Sequence, residues 1–163
     1  MRRFLTLIAL VLLAPVPALG LLGPTKGSQL VTLEASAPCP YTARANARVL
    51  NTVVGPDGST QPLVIPPKRL LVLTDASLSA ANQPAGDVMA FQLLVGAPGT
   101  TGELVDFRFE DVRSSGIATI AFPESNGIPV RAGSVVCVDA ANLTHGGSVV
   151  FIGVGHGYLA PDK

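Results

Sequence analysis

Glu103-Leu104-Val105-Asp106-Phe107-Arg108-Phe109-Glu110-Asp111-Val112 is the clearest alternation in the chain. Successive side chains of a strand point to opposite sides, so Val105, Phe107 and Phe109 share one face and Asp106, Arg108 and Glu110 the other. The segment reads as a strand with an apolar core face and a solvated charged face whose ion pairs run across the sheet.

The same grammar recurs on both sides: short β-branched runs bounded by Gly, Pro, Asn and Asp at intervals of about ten residues. Upstream, residues 29–34 read as a first strand, broken by Pro38-Cys39-Pro40. Residues 46–54 follow, and Gly55-Pro56-Asp57-Gly58 is a turn. Leu63-Val64-Ile65 is a short run stopped by Pro66-Pro67. Residues 68–79 and 87–96 are expected to pair as a hairpin. Downstream, 117–122 ends at Pro123, Asn126-Gly127 starts a turn, and 134–139 and 148–159 close the domain. No long segment of the mature chain carries a 3.6-residue apolar repeat, and 17 Gly with 14 Pro argue against a helical bundle. The expected fold is all-β, an antiparallel β-sandwich (jelly-roll-like) of about nine or ten strands in one domain spanning 29–163. A strand after Pro66-Pro67-Lys68, the Gly127-Ile128-Pro129-Val130 turn and a last strand through Gly157-Tyr158-Leu159 resemble secreted bacterial β-sandwich proteins of unassigned role. That resemblance covers about half the chain and implies no activity.

The N-terminus has a different character. Arg2 and Arg3 precede an apolar run over 4–13, then Pro15, Pro17 and Ala18-Leu19-Gly20. This is the layout of a secretory signal peptide, residues 1–20, with cleavage expected after Gly20. Ten apolar residues make about 15 Å of helix, half of a bilayer core of about 30 Å, so a stable membrane anchor is not expected. Residues 21–28 read as a flexible mature N-terminus. The chain is expected to be secreted or periplasmic. Without Arg2 and Arg3 the 11 basic residues fall to nine against 11 acidic ones. A charged content of only 13% and a near-even balance exclude the basic footprint of a nucleic-acid binder.

Cys39 and Cys137 are the two cysteines. In an oxidising compartment they read as one disulfide closing a loop of about 100 residues, against the alternative of two buried thiols. Two cysteines and two histidines without zinc spacing leave no metal expected, and no other cofactor is expected either.

Chemistry-bearing groups are sparse. Asp106, Glu110 and Asp111 form the local acidic cluster, read as a solvated face. His145 lies in a polar loop and His156 in Gly153-Val154-Gly155-His156-Gly157-Tyr158. A triad would draw on His156, on Asp139 or Asp75, and on a serine, yet no G-x-S-x-G elbow is present. No catalysis is expected. Gly153, Gly155 and Gly157 occupy one face of the last strand, with Ile152, Val154, His156 and Tyr158 on the other. Interior strand glycine implies close approach: by bulky side chains of the facing sheet, or by a subunit or ligand with Tyr158 as anchor. Gly153, Gly155, Gly157, His156 and Tyr158 are thus the candidate contact surface. A protein partner or self-association is the expected role, in binding, adhesion or structure. The alternative is a glycan- or small-ligand-binding module using loops at Asn82-Gln83 or Asn142-Leu143-Thr144, the latter also a formal glycosylation sequon. An absence of Trp and only two Tyr weigh against sugar stacking. A hydrolase ranks third.

Overall fold

The computed structural model describes residues 30–41, 44–97 and 100–162; the expected signal segment, the mature N-terminus 21–28 and Gln29 lie outside the described residues. Nine strands are present: β1 (Leu30–Pro38), β2 (Arg48–Val54), β3 (Thr60–Pro62), β4 (Arg69–Ala81), β5 (Val88–Gly96), β6 (Glu103–Asp111), β7 (Ala118–Arg131), β8 (Val135–Asn142) and β9 (Val150–Pro161). They pair antiparallel in the order β6-β5-β8-β2-β1-β9-β4-β7, with β3 on β2.

The pairing is nested. β1 pairs with β9, β2 with β8, β4 with β7 and β5 with β6. That is the jelly-roll pattern, in which each half of the chain winds against the other. The half-sheets β7-β4-β9-β1 and β2-β8-β5-β6 join through β1 and β2 and coil face to face into a nearly closed barrel. Leu33, Leu50, Leu73, Phe91, Phe122 and Val138 fill the space between them, all buried. Gly55-Pro56-Asp57-Gly58 forms the expected turn, with Gly58 at φ 79° and its N–H donating to the Gly55 carbonyl at 3.0 Å.

Four local expectations are corrected. Residues 69–81 and 87–96 do not form a hairpin: β4 pairs with β7 and β9, and β5 with β6 and β8. Residues 117–122 and 128–130 belong to the single strand β7, which runs through Pro123 and Pro129. β7 ends the strand order, where a missing N–H on the open side removes no ladder bond. Leu63-Val64-Ile65 is not a strand; the pairing stops at Pro62.

The fourth concerns β6. Val105, Phe107 and Phe109 are the outward face, 37%, 37% and 56% exposed, while Asp106, Arg108 and Glu110 lie opposite buried Leu93, Phe91 and Met89. β6 is the other end of the order, so its inward face borders an open seam rather than a closed core. Arg108 pairs with Asp106 at 2.8 Å and lays its guanidinium 5.5 Å from the Phe122 ring of β7, covering apolar surface while staying half-solvated.

Residues 39–41 and 44–47 lie over the outside of β2, β8 and β5. Cys39 is disulfide-bonded to Cys137 with a Cα–Cα distance of 5.9 Å, and both pack with Ala47, Val49 and Leu94 in a second apolar cluster. The Tyr41 hydroxyl donates to the Leu94 carbonyl at 3.0 Å, and burial pushes its pKa up to about 12. The ring sits on Gly96 and Gly102, where any side chain at Gly102 would overlap it. The bond joins positions 98 residues apart. In the chain-entropy picture such a cross-link restricts the unfolded chain strongly, so the Cys39→Ser/Cys137→Ser variant is expected to lose about 2–4 kcal/mol in urea unfolding. An unchanged midpoint would show that the bond carries no stability.

Candidate functional site

The site is built on β9 and its two neighbours. Gly153, Gly155 and Gly157 point inward and are buried. A Cβ on Gly153 would lie 2.9 Å from Val138 Cγ2 of β8, and one on Gly155 3.1 Å from both Leu50 and Leu73. On Gly157 it would lie 2.5 Å from the Val72 carbonyl oxygen. The approach that these glycines permit is that of the molecule's own facing sheet and neighbouring strand. Of the five candidate contact residues, only His156 and Tyr158 reach the outer face; the glycines support it from behind.

Period-two alternation then sends Ile152, Val154, His156 and Tyr158 outward. Across the sheet, His156 lies between Thr32 of β1 and Asp75 of β4, and Tyr158 between Leu30 and Val72. Asp75 would ordinarily point inward, since Leu71 and Leu73 do. A bulge at Thr74, where the registers with both β7 and β9 slip, turns Thr74 and Asp75 outward together. Asp75 Oδ1 meets His156 Nδ1 at 2.7 Å, and the Thr74 hydroxyl lies 3.1 Å from the His156 carbonyl oxygen. Leu30, Thr32, Thr74, His156 and Tyr158 border a shallow hollow of about 370 Å³. Leu30 at its rim is 60% exposed, and further along β9 Ile152 and Val150 are 65% and 71% exposed.

The structure thus joins His156 to Asp75, not to Asp139, and the neighbouring hydroxyls belong to threonines. Thr74 is directed at the His156 carbonyl oxygen and at Asp75 Oδ2, 3.3 Å away, so it orients the pair rather than presenting a nucleophile to the imidazole. A hydrolytic triad needs the hydroxyl on the ring nitrogen away from the carboxylate. Asp139 is buried and paired with Arg44 at 3.1 Å.

The other histidine belongs to a separate network at the loop end of β5 and β8. Asp87 is buried beneath it, accepting from the Asn142 amide at 2.6 Å and lying 2.9 Å from His145 Nδ1. Asn142 also donates to Gln83 Oε1 at 3.0 Å and accepts from the N–H groups of Thr144 and His145. Gln83 and Asn142 of the two proposed ligand loops are thus engaged in internal hydrogen bonds, whereas Asn82 and Leu143 are exposed; the sequon asparagine is buried with its amide nitrogen engaged. Among the described residues, no group of three or more His, Cys, Asp or Glu is placed to hold a metal ion.

Sequence reasoning offered Asp75 and Asp139 as alternative partners of His156 without choosing between them, and missed the Thr74 bulge and Tyr41. A parity change in Leu71, Leu73, Ala76, Leu78 was a signal for the bulge; a partner 81 residues away carries none.

Two outcomes follow. Gly157→Ala meets rigid backbone and is expected to destabilise by about 1–3 kcal/mol, more than Gly153→Ala, which meets side chains that can shift. Equal midpoints in urea would remove the close-approach account. The hydrogen bond from Asn142, then that from His145, holds the Asp87 carboxyl below the usual carboxylate range. A depressed native pKa adds stability that is complete above the unfolded value near 4 and disappears as pH falls through the native one. Asp87→Asn is expected to be less stable than wild type at pH 7 and to approach it as pH falls through the native value of Asp87. Parallel melting curves across that range would exclude the linkage.

Among the described residues, no helix is long and apolar enough to cross a membrane, and the disulfide is compatible with an exported protein. No protein-family model and no curated protein matches the chain.

Proposed function

We propose that this is an exported, non-catalytic contact module that binds a second copy of itself through the outer face of β1, β9 and β4. One observation carries the reading: Val150 and Ile152 stand largely exposed on the outer face of β9, with Leu30 exposed at the other end of the same face beside Tyr158 and the His156–Asp75 pair between. Apolar side chains grouped on a sheet face mark contact surfaces more often than scattered ones do. Thr32, Ser77, Ser79, Thr119 and Ala121 add short side chains to the face, and Glu34, opposite Val154, is an exposed charge on it. A face that carries both apolar and hydrogen-bonding groups across a shallow surface suits a self-complementary twofold contact.

The signal-peptide layout and the disulfide support export. A glycan- or small-ligand-binding role is favoured by the hollow beside Tyr158, where a ring would lie against the phenol and reach His156 and Thr32.

Sedimentation and light scattering of the exported chain test the first reading. Wild type is expected to associate in the micromolar range, and Ile152→Lys to raise the dissociation constant at least tenfold with an unchanged melting temperature. A wild-type monomer at millimolar concentration would refute it. Saturable sugar binding lost in Tyr158→Ala would establish the second reading instead.

A further inference from the structure

One end of the barrel is not closed by side chains. Between β2, the β7–β8 turn and residues 63–65 lies a hollow of about 190 Å³. Its floor is Leu50, Leu71, Val130 and Val136, all buried core residues. Leu63 and Ile65 roof it, and Asn51 and Ser134 bring polar groups to its lining; no charged side chain lines it.

The roof is distinct from the sheet. Pairing of β3 ends at Pro62, and the chain runs through Leu63-Val64-Ile65-Pro66-Pro67 without strand partners. It is tied at one end by the Leu63 N–H to the Asn51 carbonyl at 2.6 Å, and closed at the other by the Arg69 N–H to the Pro66 carbonyl at 3.1 Å. Lys68 ends it at φ 60°, a left-handed conformation rare outside glycine. Leu63 and Ile65 turn in while Val64 is 74% exposed, so the segment has an apolar underside fitted to the hollow.

We propose that this hollow binds a small neutral apolar group, a single aromatic ring or a branched chain of about six or seven carbons, beneath the 63–67 segment. Size carries the first half of the argument: an apolar cavity of about 150 Å³ takes up benzene. Chemistry carries the second. A carboxylate, ammonium or sugar ring entering here would leave water and find almost no partners, which costs several kcal/mol per polar group. Asn51 Oδ1 accepts from Ser36 Oγ at 2.7 Å and its backbone carbonyl from the Leu63 N–H, so Ser134 is the side chain left to meet one hydrogen-bonding substituent on the ligand. Mouths of β-barrels are common places for such sites. Because the roof is unpaired, it can lift for entry without breaking a sheet ladder. This site is separate from the outer face of β1, β9 and β4, and either can fail without the other.

The test is methyl NMR on the full exported chain, labelled at Ile, Leu and Val, titrated with toluene, with benzoate and glucose in parallel. Saturable toluene shifts are expected at Leu50, Leu63, Ile65, Leu71, Val130 and Val136, with benzoate at least tenfold weaker and glucose silent. Val136→Phe fills the floor and Ile65→Trp the roof, and each is expected to weaken toluene at least tenfold. If Val136→Phe does not fold, Ile65→Trp, at a half-buried position outside the sheet, decides. Three results overturn the proposal: no saturable shift up to the solubility limit, wild-type affinity in Ile65→Trp, or contacts in the unliganded protein from residues 21–29 to Leu50 and Val136, which would make the occupant the chain's own segment.

Discussion

The close approach of β9 to the strands around it is the constraint on which the rest depends. β9 pairs with both the first strand and β4, so it holds the two ends of the chain's winding together. Its inner face must also pass beneath Val138 and Leu50 of the opposite half-sheet. Only glycine meets both demands at positions 153, 155 and 157. With period two fixed by the pleat, the same requirement dictates what stands outside: Ile152, Val154, His156 and Tyr158. Packed interior and candidate contact face are the two sides of one strand, so a register slip of one residue would lose both.

Architecture was legible because it is written in local periods. Alternation, turn residues and the absence of a helical repeat lead to an all-β sandwich, and the Gly55–Gly58 turn forms as its residues imply. Two cysteines in an apolar, export-compatible chain lead to the Cys39–Cys137 bond. Strand partners were not legible. Residues 69–81 and 88–96 are consecutive and would make a reasonable hairpin, yet jelly-roll nesting sends them to different half-sheets, a choice settled by total burial rather than by either segment. The site was half legible: β9 displays its alternation locally, but Asp75 reaches His156 only through a bulge at Thr74.

β6 shows why the strongest pattern still misled. Alternation states that two faces differ, not which one is inside. In a central strand the apolar face wins the core at about 25 cal/mol for each Å² buried. At the last strand before a seam, the inner face is partly wet, so Arg108 can keep solvent at its tip while covering Phe122 and pairing with Asp106. Inward charge also protects the edge, because another strand docking there would bury those groups without partners. On β7, the opposite edge, Pro123 and Pro129 act to the same end by removing N–H donors.

The two outer faces of the barrel differ in a way that bears on function. Over β2, β8 and β5 the chain supplies its own cover: residues 39–41 and 44–47, pinned by the disulfide, with Tyr41 seated on Gly96 and Gly102 and Arg44 reaching Asp139. That cover has the marks of a permanent packing layer, since its phenol, guanidinium and sulfur atoms are each tied to a specific strand. Over β1, β9 and β4 the described residues supply none, and the side chains presented include Leu30, Ile152 and Val150 beside Glu34 and the His156–Asp75 pair. Low charge alone could reflect nothing more than a small apolar domain. Low charge distributed so that β2, β8 and β5 carry the chain's own cover while β9 and the edge strand β6 keep exposed apolar side chains is a different condition. On the proposed reading, a second copy of the β1-β9-β4 face supplies the surface that covers the β9 side chains.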